Sequence, residues 1–233
     1  MENYILQCNN LAKIFGNRIA LNGINIALGR GRIIGLLGPN GSGKTTLIKL
    51  ANGLLVPTSG NILIGGKKPG FETKKIVSYL PDKNYLSGSM RVRELLKMFE
   101  DFYEDFDKEK ANGMIQDLGI SPDDKLKTLS KGNQEKVQLI LVMSRRAELY
   151  LLDEPIGGVD PATRDYILNT IIKNHCPNSA VVISTHLIAD VEGVLDDVIF
   201  IKNGNIVLYD SADDVRSKSG KSIDEVFREV FRC

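Results

Sequence analysis

An eight-residue segment, residues 38–45, constrains the fold of this chain more than any other feature. It reads GPNGSGKT and matches the pattern G-x-x-x-x-G-K-[ST] at every fixed position. The apolar residues 33–37 before it predict a buried strand, and residues 46–50 after it predict the start of a helix. This strand–loop–helix context favours a phosphate-binding loop over a glycine turn that matches by chance. The segment therefore predicts a nucleotide site.

The chemistry of the loop suits a triphosphate together with a magnesium ion. Glycines let backbone N–H groups turn towards an anion, and the following helix adds the positive end of its dipole. Lys44 is expected to reach the β- and γ-phosphates, and the Thr45 hydroxyl is expected to bind Mg²⁺. The predicted nucleotide-binding residues here are Gly38, Pro39, Asn40, Gly41, Ser42, Gly43, Lys44, Thr45 and Thr46.

Composition argues against several other classes of protein. The 233 residues carry a formal net charge of +1, which disfavours a broad nucleic-acid-binding face. No apolar run approaches the roughly 18–20 residues that cross a bilayer, and no basic and apolar leader begins the chain. Cys8, Cys176 and Cys233 are widely spaced, which predicts a reducing, cytosolic setting and no zinc site.

The predicted elements divide the chain into three stretches. Residues 1–87 are rich in strands, whereas residues 88–145 show the helical spacing of apolar side chains. In that helical stretch, Asp107 is a candidate N-cap and Gly119 a candidate helix end. From residue 146 onwards, strands and helices alternate. The individual predictions are strands at residues 4–8, 18–26, 61–64, 149–153 and 180–185, a hairpin at 198–209, and helices at 161–174, 187–192 and 222–231.

The sequence therefore predicts an α/β fold with a P-loop NTPase core in one domain, residues 1–233. Residues 1–87 and 146–233 are expected to form that core, with a mainly parallel sheet and an N-terminal antiparallel β subdomain. Residues 88–145 are expected to form an inserted α-helical subdomain.

Two acids follow the apolar residues 149–152. An acid at a strand end beside a phosphate loop is the expected second anchor for Mg²⁺, and we assign that role to Asp153. Glu154 is placed to orient or deprotonate a water that attacks the γ-phosphate. An exposed acid at a strand end is the alternative interpretation of Glu154, and the phosphate loop favours the catalytic one.

Residues 129–136 read LSKGNQEK and, with the phosphate loop and the Asp153–Glu154 pair, resemble the signature segment of ABC-type ATPases. Phe15 resembles the aromatic residue that stacks on adenine in that family, although a core aromatic is the plainer interpretation. His186 resembles the switch histidine that contacts the γ-phosphate, although a lone histidine is more often structural. Residues 157–160 resemble the D-loop, so the resemblance covers almost the whole chain.

The resemblance implies a site shared between two copies of the chain. Ser130 is a good N-cap, and in the family the anion site at Ser130 and Gly132 faces the γ-phosphate held by a second copy. Two ATP molecules would then lie within a head-to-tail dimer, which is either a homodimer or a heterodimer with a related subunit. Ordinary helix capping is the alternative interpretation of Ser130.

Three positions depart from the family pattern. Lys131 and Asn133 replace a glycine and the glutamine of the usual Leu-Ser-Gly-Gly-Gln; the Cβ of Lys131 is expected to restrict the turn, while its charge favours phosphate. Asp82 lies where the family carries the glutamine of its Q-loop, and an ionised carboxylate cannot donate a hydrogen bond. We expect Asp82 to be a weaker member of the Mg²⁺ site. In these departures the chain resembles ATP-binding subunits of some bacterial exporters, including ones linked to antibiotic resistance.

The resemblance implies an ATP-binding and ATP-hydrolysing subunit of an ABC transporter. It would lie on the cytoplasmic face of the cell membrane and power an integral membrane permease subunit. A soluble ABC-type ATPase that acts on ribosomes or nucleic acid is one alternative, which the single cassette and the balanced charge disfavour. A cassette that binds ATP but hardly hydrolyses it is another, which the presence of Lys44, Asp153, Glu154 and His186 disfavours.

Overall fold

The computed structural model describes residues 4–232. Residues 1–3 and Cys233 lie outside the described part, so the predictions that rest on them stay predictions. The strands are β1 (Tyr4–Phe15), β2 (Arg18–Gly29), β3 (Ile33–Leu37), β4 (Ser59–Ile64), β5 (Val77–Leu80), β6 (Leu149–Asp153), β7 (Ala180–Thr185), β8 (Asp197–Lys202) and β9 (Asn205–Ser211). The helices are α1 (Lys44–Ala51), α2 (Phe71–Lys74), α3 (Val92–Phe102), α4 (Lys108–Asp117), α5 (Lys131–Met143), α6 (Pro161–Asn174), α7 (Ile188–Val191), α8 (Ala212–Ser219) and α9 (Ile223–Phe231).

A six-stranded sheet with the order β5-β6-β7-β3-β8-β9 forms the centre of the fold. Its first five strands run parallel, and β9 pairs antiparallel with β8 across the predicted hairpin. Every residue of β3, β6 and β7 is buried, which explains their continuous apolar sequences. Because parallel strands end at a common edge, the residues that follow β3, β6 and β7 meet there.

The N-terminal strands form a separate antiparallel sheet with the order β2-β1-β4. The predicted strand at residues 4–8 was too short, because β1 continues to Phe15. The polar pair Asn9 and Asn10 concealed that continuation: Asn10 has a φ of +48° at an irregularity of the register, and its N–H donates to Asn25 Oδ1 at 2.9 Å. The longer hairpin places Phe15 directly opposite Arg18.

Helices α3, α4 and α5 fall within the stretch that was predicted to be helical. Asp107 caps α4 by accepting a hydrogen bond from the Lys110 N–H at 3.0 Å, and Gly119 follows its end with a φ of +64°. Both predictions are confirmed. The three helices share one apolar cluster, which includes Val92, Leu95, Leu96, Phe99, Ala111, Ile115, Val137 and Ile140.

The predicted C-terminal helix forms as α9 and packs on the central sheet. The rings of Phe227 and Phe231 stack 4.1 Å apart, and Phe227 meets Phe200 of β8 edge-on at 5.4 Å. The helix predicted at residues 187–192 is shorter, because α7 gives way to a 3₁₀ turn at Glu192–Val194. Three elements were missed by the sequence analysis: β5 and α2, which have only four residues each, and α8, whose sequence is mostly polar.

Candidate functional site

The loop between β3 and α1 folds tightly around its own backbone. Gly41 and Gly43 have φ angles of +80° and +119°, which a side chain would strain. A Cβ on Gly38 would lie 2.4 Å from the carbonyl oxygen of Ile201, and a Cβ on Gly43 would lie 2.7 Å from that of Ala20. Backbone atoms fill this space, so only glycine fits there.

The ammonium group of Lys44 lies over this loop. Its Nζ donates to the carbonyl oxygens of Gly38 at 2.7 Å and Pro39 at 3.3 Å, and it lies 3.2 Å from Glu154 Oε1. The side chain is buried. A buried cation held only by oxygen atoms is well placed to bind phosphate oxygens.

The hydroxyl of Thr45 meets the carboxylate of Asp153. Thr45 Oγ1 donates to Asp153 Oδ1 at 3.1 Å, and Ser184 Oγ donates to the same oxygen at 2.5 Å. Asp153 Oδ2 is buried and has no hydrogen-bond partner among residues 4–232. Burial raises the pKa of Asp153 above its ordinary value; the two hydroxyl hydrogen bonds oppose that rise, and the charges of Asp82 and Glu154 add to it.

These two side chains fit a magnesium ion. Mg²⁺ prefers oxygen ligands, and in nucleotide sites it is commonly held by one or two protein groups together with phosphate oxygens. Among the described residues, no group of three or more His, Cys, Asp or Glu side chains could hold a metal ion. The unpaired Oδ2 of Asp153 beside Thr45 is therefore suited to a cation that arrives with a nucleotide.

Glu154 follows β6 in a strained backbone conformation. Its φ of +51° is uncommon for a residue with a Cβ, and such strain is concentrated at functional sites. Its N–H donates to the carbonyl oxygen of Ser184 at 3.0 Å. Glu154 Oε2 lies 2.9 Å from Nδ1 of His186, while Oε1 faces Lys44. One carboxylate therefore contacts both a cation and a histidine. A carboxylate in this position can hold a water beside the loop.

A cavity of about 320 Å³ opens beside these groups, and we call it the loop cavity. Phe15 lies at its rim and is 45% exposed. The predicted residues that line the loop cavity are Phe15, Asn40, Gly41, Gly43, Lys44, Thr45, Thr46, Asp82 and Glu154. Gly38, Pro39, Asp153 and His186 hydrogen-bond to these lining residues, and Ser42 is buried within the loop. The structure thus brings together the predicted site residues other than Ser130 and Gly132.

Ser130 and Gly132 lie apart from the loop cavity. Ser130 Oγ accepts a hydrogen bond from the Asn133 N–H at 3.3 Å and caps α5. Gly132 packs against the start of α6, where a Cβ would lie 3.1 Å from Thr163 Oγ1. Within one copy of the chain, the signature segment and the phosphate loop are therefore separate.

Lys131 and Asp160 lie at the N-terminal ends of α5 and α6. Lys131 was expected to restrict the turn, and this was wrong, because Lys131 is an ordinary first residue of α5. Asp160 of the D-loop caps α6: its two carboxylate oxygens accept from the N–H and the hydroxyl of Thr163 at 3.0 and 2.7 Å. These hydrogen bonds lower the pKa of Asp160.

The sequence analysis missed two side chains of the site. Ser184 is a buried hydroxyl that follows four apolar residues of β7, and that contrast was the available signal. Arg18 lines the loop cavity, with Nη2 at 3.5 Å from the carbonyl oxygen of Gly41. No local pattern marks Arg18, because its position depends on the register of the β1–β2 hairpin.

Comparison with known proteins identifies the family. A sequence model for the family described as "ABC transporter" matches residues 21–157. The linearmycin resistance ATP-binding protein LnrL of Bacillus subtilis (strain 168) is 30% identical over 224 residues, which are 93% of this chain and 72% of LnrL. The SkfA peptide export ATP-binding protein SkfE of the same strain is 31% identical over 209 residues, which are 87% of each chain.

A solved structure agrees with these relatives. The structure of an ATP-binding subunit of an ABC transporter matches with a TM-score of 0.88 and 26% identity, and the match covers 98% of this chain and 100% of that one. None of the helices in residues 4–232 is long and apolar enough to cross a bilayer. The family match includes the phosphate loop, the signature segment and the Asp153–Glu154 pair, and the chain therefore belongs to the ABC transporter family as an ATP-binding subunit.

Proposed function

We propose that this chain binds ATP with Mg²⁺, hydrolyses the ATP, and thereby powers transport through a separate membrane subunit. The observation that carries this proposal is the contact of one carboxylate, Glu154, with both Lys44 and His186 at the wall of the loop cavity. A carboxylate placed beside a phosphate-binding ammonium is suited to activate water at the terminal phosphate.

Different residues at the loop cavity bind different parts of the nucleotide. The exposed ring of Phe15 stacks on adenine, the loop N–H groups bind phosphate oxygens, and Lys44 reaches the β- and γ-phosphates. Thr45 and Asp153 hold Mg²⁺, and Asp82 is a weaker member of that site. When bound, Mg²⁺ neutralises charge on the phosphate oxygens.

Hydrolysis depends on Glu154, His186 and Lys44. Glu154 orients the attacking water and accepts its proton, a role that typically contributes 10²–10⁴-fold to the rate. His186 fixes the Glu154 carboxylate through the 2.9 Å contact and reaches the γ-phosphate. Lys44 stabilises the charge that develops on the phosphate oxygens.

The site is completed by a second copy. Ser130 and Gly132 lie away from the loop cavity of their own chain, so their anion site is available to the γ-phosphate of a partner. We propose that ATP closes a head-to-tail dimer, formed with an identical or a related subunit, and that hydrolysis reopens it. This arrangement makes the two nucleotide sites depend on each other.

The membrane partner supplies the transport path. The names of LnrL and SkfE refer to linearmycin resistance and to SkfA peptide export, which favours an exporter. We propose that the chain lies on the cytoplasmic face of the membrane and that residues 88–145, with the Asp82 loop, form the helical subdomain that couples to the permease. The alternative of a ribosome- or nucleic-acid-acting ATPase has no support among the relatives named above.

Measuring phosphate release against protein concentration tests the shared site. The rate should rise more than linearly with concentration while the dimer is sparsely populated. Strict proportionality down to dilute protein contradicts the shared site, and a lack of ATP-dependent phosphate release at every concentration contradicts hydrolysis.

Co-purification of the tagged chain from gently solubilised membranes tests the transport role. A stoichiometric polytopic membrane protein is the expected companion. Recovery in the soluble fraction alone, with ribosomes or nucleic acid, contradicts the proposed role in transport.

A further inference from the structure

A second cavity of about 320 Å³ lies beside Glu154, and we call it the helix cavity. Its walls are the last residue of β5 with residues 81–84, residues 154, 155 and 157 after β6, and one face of α5. Four polar side chains of that face, Lys131, Gln134, Glu135 and Gln138, recur at the helical spacing i, i+3, i+4 and i+7, and Leu139 lines the cavity beside them. A polar stripe of this kind is unusual on α5, because the C-terminal half of this helix is otherwise buried in apolar contacts.

Gln138 is the most deeply placed residue of that stripe. Its side chain is 3% exposed, yet none of the hydrogen bonds among residues 4–232 engages its amide. Gln134, one turn earlier, has a partner, because its Nε2 donates to the carbonyl oxygen of Leu129 at 3.0 Å. The atoms of the amide are not fully buried, so they are open to water in the cavity that Gln138 lines.

The rest of the helix cavity is rich in acceptors. Asp82, Glu135 and Glu154 all line it, and ionised carboxylates accept hydrogen bonds without donating any. Oε2 of Glu135 is buried and has no hydrogen-bond partner in the described part of the chain. Lys131 Nζ donates to the carbonyl oxygen of Gly158 at 3.3 Å and lies 3.8 Å from Glu135 Oε1.

The size and polarity of the helix cavity suit water. A volume of about 320 Å³ accommodates on the order of ten water molecules at liquid density. Water in a polar cavity is held by bridges between protein groups, and the Gln138 amide offers two N–H donors to balance the carboxylates. The helix cavity therefore contains the donors and acceptors of a water network that ends at Glu154.

We propose that Gln138 is a positioning residue for ATP hydrolysis. Its amide donates to water that bridges Asp82 and Glu154, and this network fixes the Glu154 carboxylate from the side opposite the loop cavity. Asp82 has no N–H to donate when ionised, whereas the Gln138 amide offers two. The inference rests on the proposed hydrolysis of ATP and adds a residue outside the phosphate loop to it.

Replacing a residue with this role should lower activity without lowering stability. Gln138→Met keeps the length of the side chain and removes an amide that pairs with no other residue, so the urea midpoint of unfolding should not fall. The loss of the water network should lower kcat about tenfold and leave KM for ATP within about twofold, since no nucleotide contact changes.

Gln134→Met is the matched control for stability, because it is the same substitution one turn earlier on the same helix. It breaks the hydrogen bond to Leu129, so its urea midpoint should fall. If Gln138→Met lowers the midpoint as Gln134→Met does, then the Gln138 amide is paired within the fold and the inference is overturned.

Gln138→Glu separates hydrogen-bond donation from side-chain length. It keeps the acceptor oxygen and replaces the NH₂ group by a second acceptor oxygen, so both N–H donors are lost and kcat should fall as it does in Gln138→Met. Unchanged kcat in either variant overturns the inference and leaves the proposed function intact. If the unmodified chain hydrolyses no ATP, both are overturned.

Discussion

The ammonium group of Lys44 lies 3.2 Å from Oε1 of Glu154, and the two side chains are only 5% and 15% exposed. This contact joins the phosphate loop to the acid that follows β6. Each group is buried enough that removal of its partner leaves a poorly compensated charge. The contact therefore links the stability of the fold to the chemistry of the site.

Glu154→Gln should retain ATP binding and lose most turnover. The amide is nearly the same size as the carboxylate, but it is a poor base and cannot accept a proton from water. We expect the rate of phosphate release to fall by about 10²-fold or more, with an unchanged or lower Kd for ATP. Single-turnover assays and equilibrium nucleotide binding check the two parts separately.

Glu148→Gln is the matched control for that prediction. Glu148 immediately precedes β6, at the end of the strand opposite Glu154, and it pairs with Arg30 at 2.5 Å. The turnover of Glu148→Gln should equal that of the unmodified chain. Turnover in Glu154→Gln at the level of this control would remove Glu154 from the catalytic role.

The Lys44–Glu154 contact should appear as a coupling free energy between the two positions. Lys44→Met and Glu154→Gln should together destabilise the chain less than the sum of the two single changes. The reason is that the second change removes a charge that the first leaves unpaired. We expect a coupling of about 0.5–3 kcal/mol from urea unfolding of the four proteins without nucleotide. A coupling near zero would mean that solvent screens the pair.

Asp153→Asn should separate Mg²⁺ binding from stability. Burial raises the pKa of Asp153, so the folded chain holds that proton more tightly than the unfolded chain does. A carboxyl with a raised folded pKa loses stability as the pH rises from its unfolded value of about 3.9 through its folded value. The charged form therefore destabilises the fold at neutral pH, and asparagine carries no such charge.

We expect Asp153→Asn without nucleotide to be at least as stable as the unmodified chain at pH 7. Its advantage in the free energy of unfolding should shrink as the pH falls towards about 4. MgATP should raise the Tm of the unmodified chain more than ATP with EDTA does, and this difference should vanish in the variant. A variant that keeps the full Mg²⁺-dependent shift in Tm would show that Asp153 is not a ligand.

Phe15→Ala should weaken nucleotide binding with little effect on stability. The ring is 45% exposed, so its removal costs little burial, whereas stacking on a base contributes about 1–3 kcal/mol. The Kd for ATP and for ADP should rise together by about tenfold, because the adenine is common to both. Calorimetric titration measures both, and Phe15→Tyr should restore the affinity.

Phe71→Ala provides the control for that titration. Phe71 is 75% exposed at the start of α2, and it does not line the loop cavity. Its removal should leave both Kd values unchanged. Equal losses in the two variants would point to a general effect of surface aromatics, and no loss in Phe15→Ala would return Phe15 to a structural role.

The phosphate loop, the Asp153–Glu154 pair and the helix caps could be predicted from the sequence, because each is recognised from residues that lie within a few positions of it. Gly43 and Lys44 are set by one strand–loop–helix unit, and Asp107 acts on an N–H three residues ahead. Residues whose role depends on tertiary contacts gave no such signal. Arg18 reaches the loop cavity only through the register of a hairpin, and Gln138 reaches the helix cavity only because α5 turns that face inwards.

The same limit applies to Arg145, whose partners come from segments far apart in the chain. Its guanidinium donates to both carboxylate oxygens of Asp105 at 2.9 and 3.1 Å and to the carbonyl oxygens of Val77 and Lys75 at 2.5 and 2.8 Å. It also lies 3.9 Å from the ring centroid of Tyr103. One side chain thus joins the segment after α3 to the start of β5.

Arg145→Met should therefore be among the most destabilising substitutions in the chain. Arg145 is 3% exposed, and its loss leaves buried carbonyl groups and a carboxylate unpaired, so the free energy of unfolding should fall by about 3–5 kcal/mol. Arg146→Met is the matched control: Arg146 is 73% exposed and makes one ion pair with Asp107, which solvent screens, so its loss should change stability little. Urea unfolding of the two variants compares identical chemical changes at adjacent positions. Similar losses would contradict the interpretation that the buried network, rather than the positive charge, stabilises this junction.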